Sequence, residues 1–502
     1  MTRTVRKLLA ATALAACLAI PGAATSQEPA QTASADRQAS ALADYDAFLD
    51  ILRTDYSGFA TKTEGDRAQE FERLAAEARA AIEADPGQVD ARMLELVRWF
   101  EDNHLYVKRV SGTAAPAANG SADALDLEAL RTQGRFIDAA RVEKGLANAQ
   151  GLAGEWATTD GVYTLAIIPD PDAPDKLVAV IRDTSSQAWA PGQVKFTLNP
   201  AADDRWGVDY LMGDHSPRTM GLAQVGKGDL VKLYGEDMVV YLRRKGADTD
   251  AIQKRIWAPD SFSLERLSDD TLLLRLPNFF ADNRATIEGL LEEHHEALTT
   301  TENLIIDARN NNGGSDGAYS ELMRYIYSRP IYAVGIEFLS SERNIAGFED
   351  LLEQYGDQLD EDTREYVVGK LDKARAAPGE WIIPLERGFS ITTYPEVMPY
   401  PRRVGILAEN AGSSGDQFVI DARFSKKVTT FGKPTAGVID YSNVIEAPLP
   451  SGNFAVSWPT TRSLRLPDEP YDNVGVPPDV PFGEEVADPI GYVQAWLERQ
   501  VD

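Results

Sequence analysis

Two adjacent hydroxyls, Ser413 and Ser414, stand in the stretch AENAGSSGDQFVIDARF (408–424), where strand-forming residues give way to an amphipathic pattern. Two chemistries fit that place. Ser413-x-x-Asp416 has the form of a helix-capping box, its acid one methylene short, which would satisfy orphan N–H groups of a first turn. A serine between a parallel strand and the next helix is also placed to attack. Its oxygen is exposed at the sheet edge, and backbone N–H groups and the helix dipole point at a bound carbonyl there. Such a hydroxyl needs a base, because it is barely nucleophilic at neutral pH.

Four histidines could supply that base: His104, His215, His294 and His295. His294 and His295 adjoin on a helical stretch and read as solvated or capping residues. His215, in MGDHSPRT, falls in a β-rich region. His104 closes a helical stretch in RWFEDNHLYV with Asp102 nearby, a position that equally suits a residue complementing the helix dipole. No stretch has metal-ligand spacing such as His-Glu-x-x-His, so neither a metal nor a cofactor is expected.

The elements that must position these groups fall into blocks. The N-terminus has a basic start (Arg3, Arg6, Lys7), an apolar run from Leu8 to Ile20, and small residues after Pro21-Gly22. This is the form of a secretory signal peptide over 1–26, cleaved after Ala24 or Ser26 and too short to span a membrane. Leu14-Ala15-Ala16-Cys17 also has the form of a lipoprotein box, an alternative that would leave Cys17 lipidated. Cys17 is the sole cysteine, so a mature chain without it has no disulfide and no cysteine nucleophile. The chain is expected to be exported, periplasmic or secreted.

Residues 27–40 are Ala, Ser, Gln and Thr rich and are expected to be disordered. Apolar spacings of three and four mark a helical N-terminal region over 41–150, with a linker at 111–124. Short β runs over 151–260 indicate a small antiparallel barrel or sandwich. The Gly-x-Trp at Gly154–Trp156 is similar to the start of lipocalin barrels, and it equally fits a packed core tryptophan. From 261 to 502 strands alternate with helices, the pattern of βαβ units and a parallel sheet. A length of 502 residues fits two or three domains. The net charge of −28 argues against nucleic acid, which needs a basic face. It fits either a solvated acidic surface or an acidic cleft for cationic substrates.

Taken in order, LIIDARNNNGG (304–314), VGILAENAGSSGDQF (404–418), FGKPTAGVIDYSN (431–443), LPSGNFAVSWPTTRS (449–463) and YDNVGVPPDV (471–480) carry a resemblance. As a set they resemble the C-terminal processing (tail-specific) protease family of serine peptidases, in its tricorn-core-like branch. The resemblance implies a multidomain α/β plus β fold with a mainly parallel, tricorn-core/crotonase-like catalytic sheet. It places the nucleophile at Ser413, three residues before Asp416, where relatives usually carry glutamate. The lysine base of one branch aligns with Val438, and Lys433 sits too early, so the histidine-based branch is the better likeness. There the base falls on His104 and its orienting acid on Asp472, again where relatives have glutamate. Asn103 replaces a serine that belongs to that branch's tetrad.

The implied chemistry is acyl transfer, with the N–H groups of Gly313 or Gly314 and of Ser414 holding the oxyanion. Residues 151–246 lack the Gly-Leu-Gly-Phe-like loop of the PDZ module common in the family, so capture of a peptide C-terminus is not implied. The expected function is that of an exported serine endopeptidase acting on peptides or unfolded proteins. A catalytically silent relative that binds a peptide or other ligand, and an esterase or amidase of small substrates, stand as alternatives. A homo-oligomer is left open.

Overall fold

The computed structural model describes residues 30–110, 127–147, 149–201, 206–225, 228–235, 238–356 and 361–500. The signal peptide with Cys17 and the 111–124 linker lie outside the described residues. Among those residues no helix is long and apolar enough to cross a membrane.

The chain opens with helices Ala30–Thr54, Asp66–Ala84 and Val89–Trp99. The first includes most of the stretch expected to be disordered. Past Pro29 that stretch has neither Gly nor Pro, and Ala, Gln and Arg favour helix. Docking of the helix from Ala41 onward then gives it something to extend. Its buried Tyr45, Phe48 and Leu52 meet Phe71 and Ile82 of the second helix and Met93 and Leu96 of the third. The same core continues into Phe338, Ile445, Phe454, Val456 and Trp458, more than two hundred residues away in sequence. The N-terminal helices therefore share one core with part of the C-terminal half.

Residues 154–244 form a closed barrel of eight antiparallel strands. Gly154–Thr158 opens it, and Val239–Arg244 closes it by pairing Trp156 with Arg244. Trp156 is fully buried, and the Arg244 guanidinium lies 4.4 Å from its ring centre. Side chains fill the interior, including Phe196, Leu198, Leu233 and Leu242. The Lys195 ammonium is also enclosed, 4.1–4.7 Å from the ring centres of Tyr163, Trp189 and Tyr210. His215 stacks on Trp189 at 3.8 Å and bonds the Ala188 carbonyl, so it is a packing residue of this barrel.

The C-terminal half holds a six-stranded sheet in the order Ser263–Arg266, Thr271–Arg275, Asn303–Asp307, Arg403–Leu407, Val428–Gly432 and Val480–Pro481. Only the first pair is antiparallel. The central strands are buried on both faces, as parallel strands covered by helices must be. Leu272, Leu304 and Ile406 pack against helices that include Ser414–Ala422. Leu273, Ile305 and Leu407 pack against Pro489–Arg499 on the other face.

A second sheet completes the frame. Strands Tyr106–Arg109, Ile336–Leu339 and Tyr441–Pro448 all pair antiparallel with the ten-residue strand Phe454–Ser463. This strand carries residues just after His104 and just before Asp472 into one neighbourhood.

Candidate active site

Strands Asn303–Asp307 and Arg403–Leu407 are parallel neighbours, so their following loops leave the same sheet edge together. The loops are joined by backbone bonds from Asn310 to Glu409 and from Gly412 to Asn311, each 2.9 Å. Buried Asp307 and Arg309 hold the first loop at its base, and the guanidinium reaches the carbonyls of Ile256 and Trp257. Gly313 then passes against the serine turn. A Cβ there would lie 2.5 Å from the Gly412 carbonyl and 2.7 Å from Ser413 Cβ, and φ is +73°. Only glycine fits.

Ser413 precedes helix Ser414–Ala422 with φ 58° and ψ −119°, a conformation that costs a non-glycine residue about 1–3 kcal/mol. Its side chain makes no capping bond to the helix. The capping-box alternative is therefore not what the fold builds, because the left-handed backbone turns Oγ away from the first-turn amides. Asp416 instead accepts the amides of Gly437 and Val438, both at 3.0 Å.

The oxyanion donors divide. Gly313 N–H donates to Asn311 Oδ1 at 2.9 Å, so this one of the expected donors is already engaged. The amides of Gly314 and Ser414 have no acceptor among the described residues. They remain as the pair beside Ser413.

His104 follows the end of helix Val89–Trp99. Asp102 Oδ1 accepts its backbone amide at 2.9 Å, and Asp102 Oδ2 accepts the Tyr56 hydroxyl at 2.7 Å. The ring Nδ1 lies 2.5 Å from the Tyr441 carbonyl oxygen. A carbonyl only accepts, so Nδ1 carries the proton and neutral His104 presents an unprotonated Nε2. That tautomer is the one a base needs.

Asp472 Oδ1 accepts the amides of Ile439 and Asp440, each at 2.8 Å. Asp440 Oδ2 returns the contact by accepting the amides of Tyr471 and Asp472. Burial pushes the Asp472 carboxyl up to about 7, against the pull of the Asp440 amide and helped by the Asp102 charge nearby. Burial likewise raises Asp416. Segment 437–441 thus contacts the serine helix through Asp416, the acid through Asp472 and the histidine through the Tyr441 carbonyl. No hydrogen bond joins His104 to Ser413 or to Asp472 among the described residues. The contact to the imidazole expected of Asp472 is made by the Tyr441 carbonyl, while Asp472 Oδ1 accepts the amides of Ile439 and Asp440.

Residues 270–482 match the model of peptidase family S41. This segment is an S41 peptidase domain. The family is one of serine-type hydrolases, and the S41 domain contains both Ser413 and Asp472, while His104 lies outside it. Among solved structures, mature CPAF complexed with lactacystin is 14% identical, over 92% of this chain and 97% of that chain, with a TM-score of 0.49. The photosystem II D1 C-terminal processing protease is 14% identical, over 90% and 94%, with a TM-score of 0.33. The tricorn protease is 14% identical, over 92% of this chain and 37% of that chain, with a TM-score of 0.39. No curated protein sequence matches.

Sequence reasoning missed Tyr441, Asp440, Tyr56 and Asn311. Tyr441 acts through its carbonyl, which residue type does not advertise. Asp440 did have a signal, being an acid inside the FGKPTAGVIDYSN stretch. His294 and His295 are not part of this site, and His295 bonds the Tyr325 hydroxyl at 2.8 Å. Among the described residues no group of His, Cys, Asp and Glu is arranged to hold a metal ion.

Proposed function

We propose that the chain is an exported serine endopeptidase in which Ser413 attacks the peptide carbonyl and His104 is its base. Nε2 takes the hydroxyl proton as Oγ bonds the carbonyl carbon, and the oxyanion falls to the amides of Gly314 and Ser414. Collapse breaks the C–N bond, and the amine leaves with the proton from His104. Water then repeats the sequence on the acyl-enzyme. Asp472 stabilises the imidazolium through the 439–441 segment and its charge.

The observation that carries this reading is the 437–441 segment, which contacts all three elements at once. A strained serine beside two free amides supports it further. The closed barrel is filled by its own side chains, which speaks against a lipid-carrying role for that domain. Export rests on the signal-peptide form of residues 1–26.

The second reading, a silent relative that binds peptides, is favoured by one observation: Asp472 is tied to backbone amides rather than to His104. Incubation of the mature protein and its Ser413→Ala variant with casein, read by mass spectrometry, separates the two. Fragments lost in the variant support the peptidase. Intact casein with both proteins, together with no labelling of Ser413 by a fluorophosphonate, supports the silent relative.

A further inference from the structure

A cavity of about 400 Å³ lies beside the serine turn. Gln417 and Asp421 line it from successive turns of the helix that Ser413 begins, and Asp316 lines it two residues beyond Gly314. Ile439, in the segment that contacts Asp472 and His104, and Ser442 just after it also line the cavity, as does Arg465. The cavity therefore adjoins the serine helix, the loop after Gly314 and the 437–441 segment.

Its charges are not balanced from within. Asp421 accepts Gln417 Nε2 at 2.7 Å and the Tyr319 hydroxyl at 2.9 Å, both neutral donors. Burial, with the charge of Asp316, pushes Asp421 up to about 7. Asp316 is exposed to the cavity, the side chain of Ser414 reaches it, and no cation pairs with it among the described residues. The one cation in the lining is Arg465, whose side chain is 5% exposed and lies 3.6 Å from Asp440 Oδ1, behind the wall. Its charge is thereby offset, yet its Nε has no acceptor. The Arg465 charge acts on Asp421 without an ion pair, and among the described residues no cation contacts either carboxylate. A peptide residue with a basic side chain brings one.

We infer that this cavity receives a lysine or arginine side chain of the substrate next to the cut bond, with Asp316 and Asp421 as the specificity-determining residues. The inference rests on the reading of the cleft as a peptide site. An acidic side chain would face two carboxylates against one guanidinium that is buried and already beside Asp440. The acidic character of the whole chain thus has a specific place in which to act.

The test uses the full mature chain carrying Ser413→Ala, so that binding is read without cleavage. Fluorescein-labelled octapeptides that differ only in one central lysine, norleucine or glutamate are titrated by fluorescence anisotropy. Lysine should bind about tenfold more tightly than norleucine, in the range that a single side chain contributes in a specificity pocket. Asp316→Asn and Asp421→Asn on the same background should erase that preference. Asp316 is exposed, so its variant keeps the test valid if Asp421→Asn fails to fold. Equal binding of all three peptides, preference for glutamate, no binding, or a lysine preference that survives Asp316→Asn would each overturn the inference. Mass spectrometry of casein cut by the unaltered protein tests the peptidase reading separately. Lysine-selective binding without cleavage defeats only the peptidase, and cleavage with no basic residue at the cut defeats only the pocket.

Discussion

Asp416 and Asp472 divide four consecutive backbone amides between them, Asp416 taking those of Gly437 and Val438 and Asp472 those of Ile439 and Asp440. Two carboxylates from distant parts of the sequence thereby fix one short segment, and its next carbonyl, that of Tyr441, holds the histidine. The arrangement of the candidate site depends on the position of this segment.

Asp416→Ala should loosen the segment. Two amides lose their acceptor, at about 1–3 kcal/mol for each group left unsatisfied. Urea denaturation should show a lower midpoint. Casein hydrolysis should fall at least tenfold, because the base is displaced. Full activity in a destabilised Asp416→Ala protein would show that the segment does not position the base.

Tyr441 contributes a carbonyl, so Tyr441→Phe should keep most of the activity. His104→Ala should lose it by about a thousandfold or more, as expected on removal of a general base. Initial rates on a fluorogenic peptide distinguish the two variants. Near-normal rates in His104→Ala would remove it from the mechanism.

Gly313→Ala places a Cβ 2.5 Å from the Gly412 carbonyl at a positive φ. The serine turn must move or the loop must strain, and either outcome separates Ser413 from the Gly314 and Ser414 amides. A drop in kcat larger than any rise in KM is expected, since the oxyanion forms only in the transition state. Steady-state kinetics supplies both numbers.

Stability should fall as pH rises from about 4 towards about 7. Asp421 and Asp472 have folded values raised to about 7, above the unfolded value of about 3.9. Between those limits the folded state holds more protons, so the slope of stability against pH is negative. The contribution is complete below the unfolded value and gone above the folded one. Asp421→Asn and Asp472→Asn should each flatten this part of a thermal-unfolding profile. In the peptidase reading, kcat/KM rises over the same interval as Asp472 ionises.

Much of this site could be read from the sequence because its parts are local. The turn around Ser413, the paired glycines at 313–314 and the acid before Gly475 each sit in a short, recognisable stretch. The barrel was legible from its short β runs, but its closure was not, since pairing of Trp156 with Arg244 joins residues far apart in the chain. The helix from Ala30 was hidden by a composition that is polar and repetitive but not helix-breaking. Least visible was the reassignment of hydrogen bonds. Ser413-x-x-Asp416 reads as a cap, and a single positive φ at the serine sends the carboxylate to another segment instead. Partners made of backbone atoms, such as the Tyr441 carbonyl, depend on register and carry no side-chain signal.

Strand Phe454–Ser463 has a further consequence, one of timing. It pairs with Tyr106–Arg109, directly after His104, and with Tyr441–Pro448, whose first residue holds that histidine. Neither pairing can form until this late stretch of the chain has been synthesised. A growing polypeptide therefore carries a serine turn and a histidine that have no common support. The candidate site is therefore assembled only once nearly the whole chain is present.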